Sequence, residues 1–456
     1  MGLGLAVMLA CTDEASEDPG VPTDSAVVGT SVDTATETAP LEPPCPTRPC
    51  VAELARSVLL GRDEWPGGLG YSLASAGDRV VAGAPYYQYE PAAERAVLVG
   101  LPDLELLGAW VGIDEFDYTG LAVAAADTDG DGLPEVAVSR HNAHDSQDGG
   151  RVHLLPGSVE GEVDASEVAL LTLVGDLDVA LGYALRFSDD GAELVVSGGR
   201  QDATGGRILS FSTAARGVVH EREALRTLRS TDGLDFFETW DGDGDGAQDL
   251  VVRGRDGVSL FWGPWTDLTS DDRALAYTDS SALENGTGQV LADVGDVTGD
   301  GRADLAFAAP THGADADRAG RAYLLADAGA GGSADDIDTQ LRGTEVGDGM
   351  GFALAGADVD GDGQRDLVAS ASGVYPGTQP GVVLVYRGPI GPGIRTAADA
   401  DAAVYAERGV DLFARAIAVV DADGDTHDDL VLGAPSWPAG RGDGAVYLVE
   451  GAAILP

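Results

Sequence analysis

The chain has 456 residues, with 77 Asp and Glu against 27 basic residues and a formal charge of −50. All 27 basic residues are Arg, which excludes a Schiff-base lysine, a pyridoxal-phosphate enzyme and a P-loop nucleotidase. The acidic field also repels nucleic acid and anionic lipid, leaving cations as the natural small partners.

Residues 1–11 read as an export signal: the apolar run from Gly2 to Ala10 ends at Cys11 and is too short to span a bilayer. Leu9-Ala10-Cys11 resembles the lipobox of bacterial lipoproteins. That resemblance implies an exported protein, lipid-anchored through Cys11, at a bacterial cell surface or in the periplasm. Residues 12–50 form an acidic linker rich in Thr, Ser and Pro, which cannot bury enough apolar surface to offset its ordering entropy and is expected to be a disordered tether. Cys45 and Cys50 close it. Two nearby cysteines in an exported chain are expected to form a disulfide, and no second pair exists to complete a zinc site.

Residues 51–456 are periodic. A Leu/Val-rich strand recurs at Val80, Val136, Leu194, Leu250, Leu305, Leu367 and Leu430, at spacings of 56, 58, 56, 55, 62 and 63 residues. Each copy reads as a Gly- or aromatic-marked turn, a short strand of small apolar residues, a turn, the recurring strand, a variable loop and a strand of the G-x-V-Y-L type. Three or four short strands per copy is the content of one propeller blade, so the fold is expected to be all-β, a seven-bladed β-propeller. A linear β-solenoid is the alternative, but its repeats are shorter.

Three features of these copies carry a family resemblance: the Gly351-Phe352 pair, an Asp-rich loop, and the Gly-Ala-Pro of Gly83 to Pro85 and Gly433 to Pro435. The series resembles the FG-GAP repeats of the integrin α-subunit head, over about Ser57 to Gly451. The third copy departs with Ser197-Gly198-Gly199, the fourth with Arg253-Gly254, and the fifth with Ala308-Ala309-Pro310.

Five copies place an acidic loop between their first two strands. Oxygen-bearing side chains fall at the first, third, fifth and ninth positions: Asp127, Asp129, Asp131 and Glu135; Asp241, Asp243, Asp245 and Asp249; Asp296, Thr298, Asp300 and Asp304; Asp358, Asp360, Asp362 and Asp366; Asp421, Asp423, Asp425 and Asp429. Ca²⁺ takes six to eight oxygen ligands, and alternate residues of a tight loop can turn carboxylates toward one centre. By the same spacing the carbonyls of Leu133, Ala247, Arg302, Gln364 and His427 point inward. An EF-hand needs a bidentate Glu at the twelfth position, where Val138, Val252, Phe307, Ala369 and Leu432 stand instead. The resemblance likewise implies Ca²⁺ at these Asp positions, so up to five structural ions are expected on one face of the ring. Thr298 and Thr426 mark weaker sites, and the short turns of the first and third copies bind none.

Recognition is then expected on the opposite face, in the loops after the Gly-Ala-Pro strand. These carry Tyr86, Tyr87, Tyr89, His141, His144, His312, Tyr375 and Trp437, and aromatics on loops held by a rigid scaffold suit protein or carbohydrate ligands. Arg441-Gly442-Asp443 falls where the repeat needs a Gly-rich turn and is read as coincidence. Nothing marks a nucleophile. The expected function is a non-enzymatic, monomeric, calcium-stabilised binding or adhesion module for protein or glycan. A secreted hydrolase or lyase and a purely structural surface protein are the alternatives.

Overall fold

The computed structural model describes residues 50–61, 67–85, 94–112, 118–141, 149–176, 180–199, 205–230, 236–279, 286–326, 329–373, 380–409, 412–436 and 442–455. The signal segment with Cys11 and the tether with Cys45 lie outside these residues. Cys50 is buried and disulfide-bonded.

The seven sequence copies are seven sheets, and each recurring strand is the second of its blade. Blade 6 shows the plan, running from the axis outward as Met350–Ala357, Asp366–Ala371, Pro380–Tyr386 and Ala402–Gly409, all antiparallel. Its second strand, DLVASA, is buried at every position because neighbouring blades cover both of its faces. In blades 1 to 5 a segment from the next blade adds in parallel to the outer strand, as Gly161–Asp164 does beside Glu105–Val111.

The innermost strands contact one another in sequence around the axis, and Ile417–Val420 of blade 7 meets Ser72–Ala76 of blade 1. The ring is therefore closed. Closure also uses the amino end: Ala55–Leu60 pairs antiparallel with Ala445–Val449 and becomes the outer strand of blade 7. Among the described residues, each interface between blades holds its own apolar cluster. The one that seals the ring joins Ala418, Val431 and Leu448 to Val80, Val97 and Ala109.

The glycines of the repeat have a packing reason. A Cβ on Gly83 would overlap the carbonyl of Gly120 in the next blade, and one on Gly433 would overlap that of Gly70. Gly70 and Gly120 in turn hold φ of 86° and 88°, which favours glycine. The Gly-Ala-Pro glycine of one blade thus seats the turn before the inner strand of the next. Where Ser139, Ser197 or Ser370 replaces it, the hydroxyl accepts the backbone N–H of Ala122, Ala184 or Ala353 on its own blade's inner strand instead.

Candidate functional site

The five Asp-rich loops all join the innermost strand of a blade to its second strand, so the topology sets them on one face of the ring. They share one hydrogen-bond scheme. In four of them the first carboxylate accepts the N–H of the sixth residue, Gly132 to Asp127 (3.0 Å), Gly246 to Asp241 (3.0 Å), Gly301 to Asp296 (2.9 Å) and Gly363 to Asp358 (2.8 Å), while in blade 7 Asp421 accepts that of the fourth, Gly424 (2.7 Å). The fifth accepts the N–H of the seventh: Leu133 to Asp131, Ala247 to Asp245, Arg302 to Asp300, Gln364 to Asp362 and His427 to Asp425, all at 2.7–2.9 Å. Glycine at the sixth position supplies the left-handed turn, and Thr426 holds it with φ 77°, a strained conformation for a β-branched residue.

The ninth carboxylate does different work. Asp366 is buried and accepts Val359 N–H (3.1 Å) through one oxygen and Gly388 N–H (3.0 Å) through the other. Asp249 spans Gly242 and Gly263 in the same way, and Asp429 spans Ala422 and Gly451. Asp304 accepts from Val297 and Thr298, and Glu135 from Thr128. Burial pushes the Asp304 and Asp366 carboxyls up to about 6 and raises Asp249 and Asp429, so each charged form needs compensation.

Four loops gather carboxylate oxygens within 4.8 Å of one another: Asp127, Asp129 and Asp131; Asp241, Asp243 and Asp249; Asp358, Asp360 and Asp362; Asp421, Asp423 and Asp425. The blade 5 loop forms no such group among the described residues. Thr298 stands at its third position, with its hydroxyl donating to Asp304 Oδ1 (3.1 Å). A cation fits the blade 4 loop best, because Asp241 Oδ1 is buried there with no hydrogen-bond partner. A hard divalent ion with oxygen ligands answers that oxygen and the mutual repulsion of its neighbours. Arginines already counter one third-position carboxylate in two blades: Arg387 lies 3.1 Å from Asp360, and Arg56 of the closing strand 3.1 Å from Asp423. Adjacent loops are also stitched together, Gln364 donating to the Asp296 carbonyl (2.6 Å) and the Asp358 N–H to Asp428 (2.8 Å).

At the other end of the channel, each blade contributes one residue at or just before its inner strand: Tyr71, Leu121, Tyr183, Phe236, Gln289, Phe352 and Arg415. Because inner strands start here and finish at the Asp loops, this collar lies on the opposite face. In the sequence these positions mark only the turns, and their recurrence at or just before every inner strand is the signal that singles them out. Of the expected ligand residues, His141 is buried with its ring 4.0 Å from that of Tyr183. His312 is buried too, its Nδ1 accepting Ala314 N–H (3.2 Å), and desolvation lowers its pKa. Tyr86, Tyr87, Tyr89, His144, Tyr375 and Trp437 fall outside the described residues. Gly442 and Asp443 of the Arg-Gly-Asp tripeptide accept through their carbonyls from Gly68 and Leu69.

A model of the FG-GAP repeat family matches residues 119–155, 291–325, 350–386 and 413–449, which are blades 2, 5, 6 and 7. The chain carries FG-GAP repeats. It is also 39% identical over 119 residues to human integrin alpha-X, a match that spans 25% of this chain and 10% of the integrin. The four matched FG-GAP repeats all carry an Asp-rich loop. Blades 1 and 3, which are not matched, have short turns in its place, while blade 4 keeps the loop and lacks the Gly-Ala-Pro. No helix among the described residues is long and apolar enough to cross a membrane.

Proposed function

We propose that this FG-GAP propeller is a calcium-stabilised binding module that works outside the cytoplasm and recognises a protein or glycan on the face opposite its Asp loops. The division of the molecule into two unlike faces carries this reading. One face concentrates carboxylates and a buried oxygen that lacks a partner, which suits fastening ions. The other carries the aromatic collar and, in blade 5, the described loop Pro310 to Gly320 between second and third strands. Ions held by Asp127, Asp241, Asp358, Asp421 and their loop partners would lock the first hairpin of each blade that carries such a loop, at affinities of about 10⁻⁴ to 10⁻³ M suited to an extracellular medium. Anchoring through Cys11 on the acidic tether belongs to the same proposal.

Binding on a glycan array in about 1 mM CaCl₂ tests the choice of face. Ala314→Arg and Asp317→Arg lie in the described loop after the second strand of blade 5 and should weaken binding. Arg302→Glu, in the Asp loop of the same blade, should not. The reverse pattern would place recognition on the ion face and overturn the reading.

A further inference from the structure

The seven inner strands enclose a channel of about 530 Å³ along the propeller axis. Its mouth, on the face away from the Asp loops, presents the rings of Tyr71, Tyr183, Phe236 and Phe352 beside one cation, Arg415. The Arg415 guanidinium carbon lies 4.7 Å from the Tyr71 ring centroid and 5.7 Å from that of Phe352. One of its N–H groups donates to the Tyr71 hydroxyl (3.2 Å), and it faces no carboxylate among the described residues.

That is unusual in so acidic a molecule. Arg186, at the far end of the same channel, pairs with Glu238 at 2.7 Å, and the buried Arg321 pairs with Asp315 at 2.8 Å and Asp335 at 2.6 Å. The two rings flank the Arg415 guanidinium at the channel wall, and the acceptor it finds there among the described residues is the neutral Tyr71 hydroxyl, not a carboxylate. A planar guanidinium fork held in this way matches a carboxylate. The far end has the opposite sign: Asp293 lies four residues beyond Gln289 on the blade 5 inner strand, about 13 Å deeper. An anion entering the channel is therefore held at the mouth and turned back from the interior.

We propose that the channel mouth binds a small carboxylate whose body offers a flat aromatic or C–H face. The acid group sits on Arg415 and the body lies against the rings of Tyr71 and Phe352. This site rests on the reading of the collar face as the recognition face, and it adds a ligand class and an anchor residue to it.

Calorimetric titration of the full chain with sodium benzoate and sodium D-glucuronate, beside benzyl alcohol and D-glucose as uncharged partners, tests it. At least one carboxylate should saturate, about tenfold or more tighter than its uncharged partner. Which of the two does so tells an aromatic acid from a sugar acid. Arg415→Gln should lose about tenfold in affinity with melting unchanged, while Arg229→Gln, on an exposed outer strand, should not. The proposal is overturned if neither acid saturates, if acid and uncharged partner bind alike, or if Arg415→Gln binds as the native chain does. The comparison with uncharged probes needs no variant, so it stands even if Arg415→Gln fails to fold. Failure here with glycan binding still sensitive to Ala314→Arg would remove the channel site and leave the recognition face in place.

Discussion

Deleting residues 1–61 should abolish the single cooperative melting transition that calorimetry of the full chain is expected to show. Every other blade draws its four main strands from one stretch of chain, but blade 7 takes three strands from the carboxyl end and its fourth, Ala55–Leu60, from the amino end. This pairing fixes a loop of nearly the whole chain, whose closure entropy is about 5 kcal/mol, so the contacts that hold it are individually decisive. Deletion removes the register from Ala55 against Val449 to Leu60 against Ala445. It also removes buried Val51 from the blade 6–7 cluster, Leu59 from the ring-sealing cluster, and the Arg56 links to Asp423 and Glu450. The loss is on the order of 5 kcal/mol or more by apolar burial alone, and the bared edge of Ala445–Val449 becomes a template for aggregation. As a control, Val58→Asp changes a side chain 43% exposed on the same strand and should shift the midpoint by no more than about 2 °C. A truncated chain that melted like the full one would show that closure lies elsewhere.

A second large effect should come from Asp366→Ala, and its contrast with Asp360→Ala separates scaffold from ion. Asp366 accepts two backbone N–H groups, from Val359 and Gly388, inside the protein. Its removal strands both, at about 1–3 kcal/mol each. The cost should therefore appear in denaturant titrations with EDTA as well as with Ca²⁺. Asp360 is itself only 10% exposed, but its partner Arg387 is 44% exposed, and a single pair open to water on one side is worth about 1 kcal/mol. Asp360→Ala should then be nearly silent in EDTA and cost stability only when Ca²⁺ is present. Equal losses for both variants in EDTA would make the third-position carboxylates structural in their own right.

The repeat number, the second strands and the Asp loops are legible in the sequence because each is a local pattern. A strand buried on both faces needs a central apolar run, as Leu367 to Ala369 gives in the second strand of blade 6, and a loop that turns carboxylates inward must alternate Asp with small residues. The Gly-Ala-Pro signature is legible as a mark, but its cause, contact of Gly83 with Gly120 and of Gly433 with Gly70, belongs to the ring. Closure is not legible at all: Ala55–Leu60 carries no repeat signature, since it is an outer strand whose partner lies some 390 residues away. The parallel fifth strands are hidden for the same reason, being connectors that pair with a neighbouring blade. The ninth carboxylate reads from spacing as one more ligand. Its hydrogen bonds to two separate segments show it also as a bracket between the first hairpin and the end of the third strand. Loop position alone marks His141 and His312 as candidates for the ligand surface, but the Tyr183 ring beside His141 and the Ala314 N–H donated to His312 account for where they lie.

If cations bound by the Asp loops hold the hairpins of one face, melting of the native chain must differ between EDTA and added Ca²⁺. The midpoint should be lower in EDTA, with one cooperative transition, and should recover when Ca²⁺ is restored in excess, as a ligand of the folded state alone must give. A midpoint that is the same in EDTA and in millimolar Ca²⁺ would contradict it.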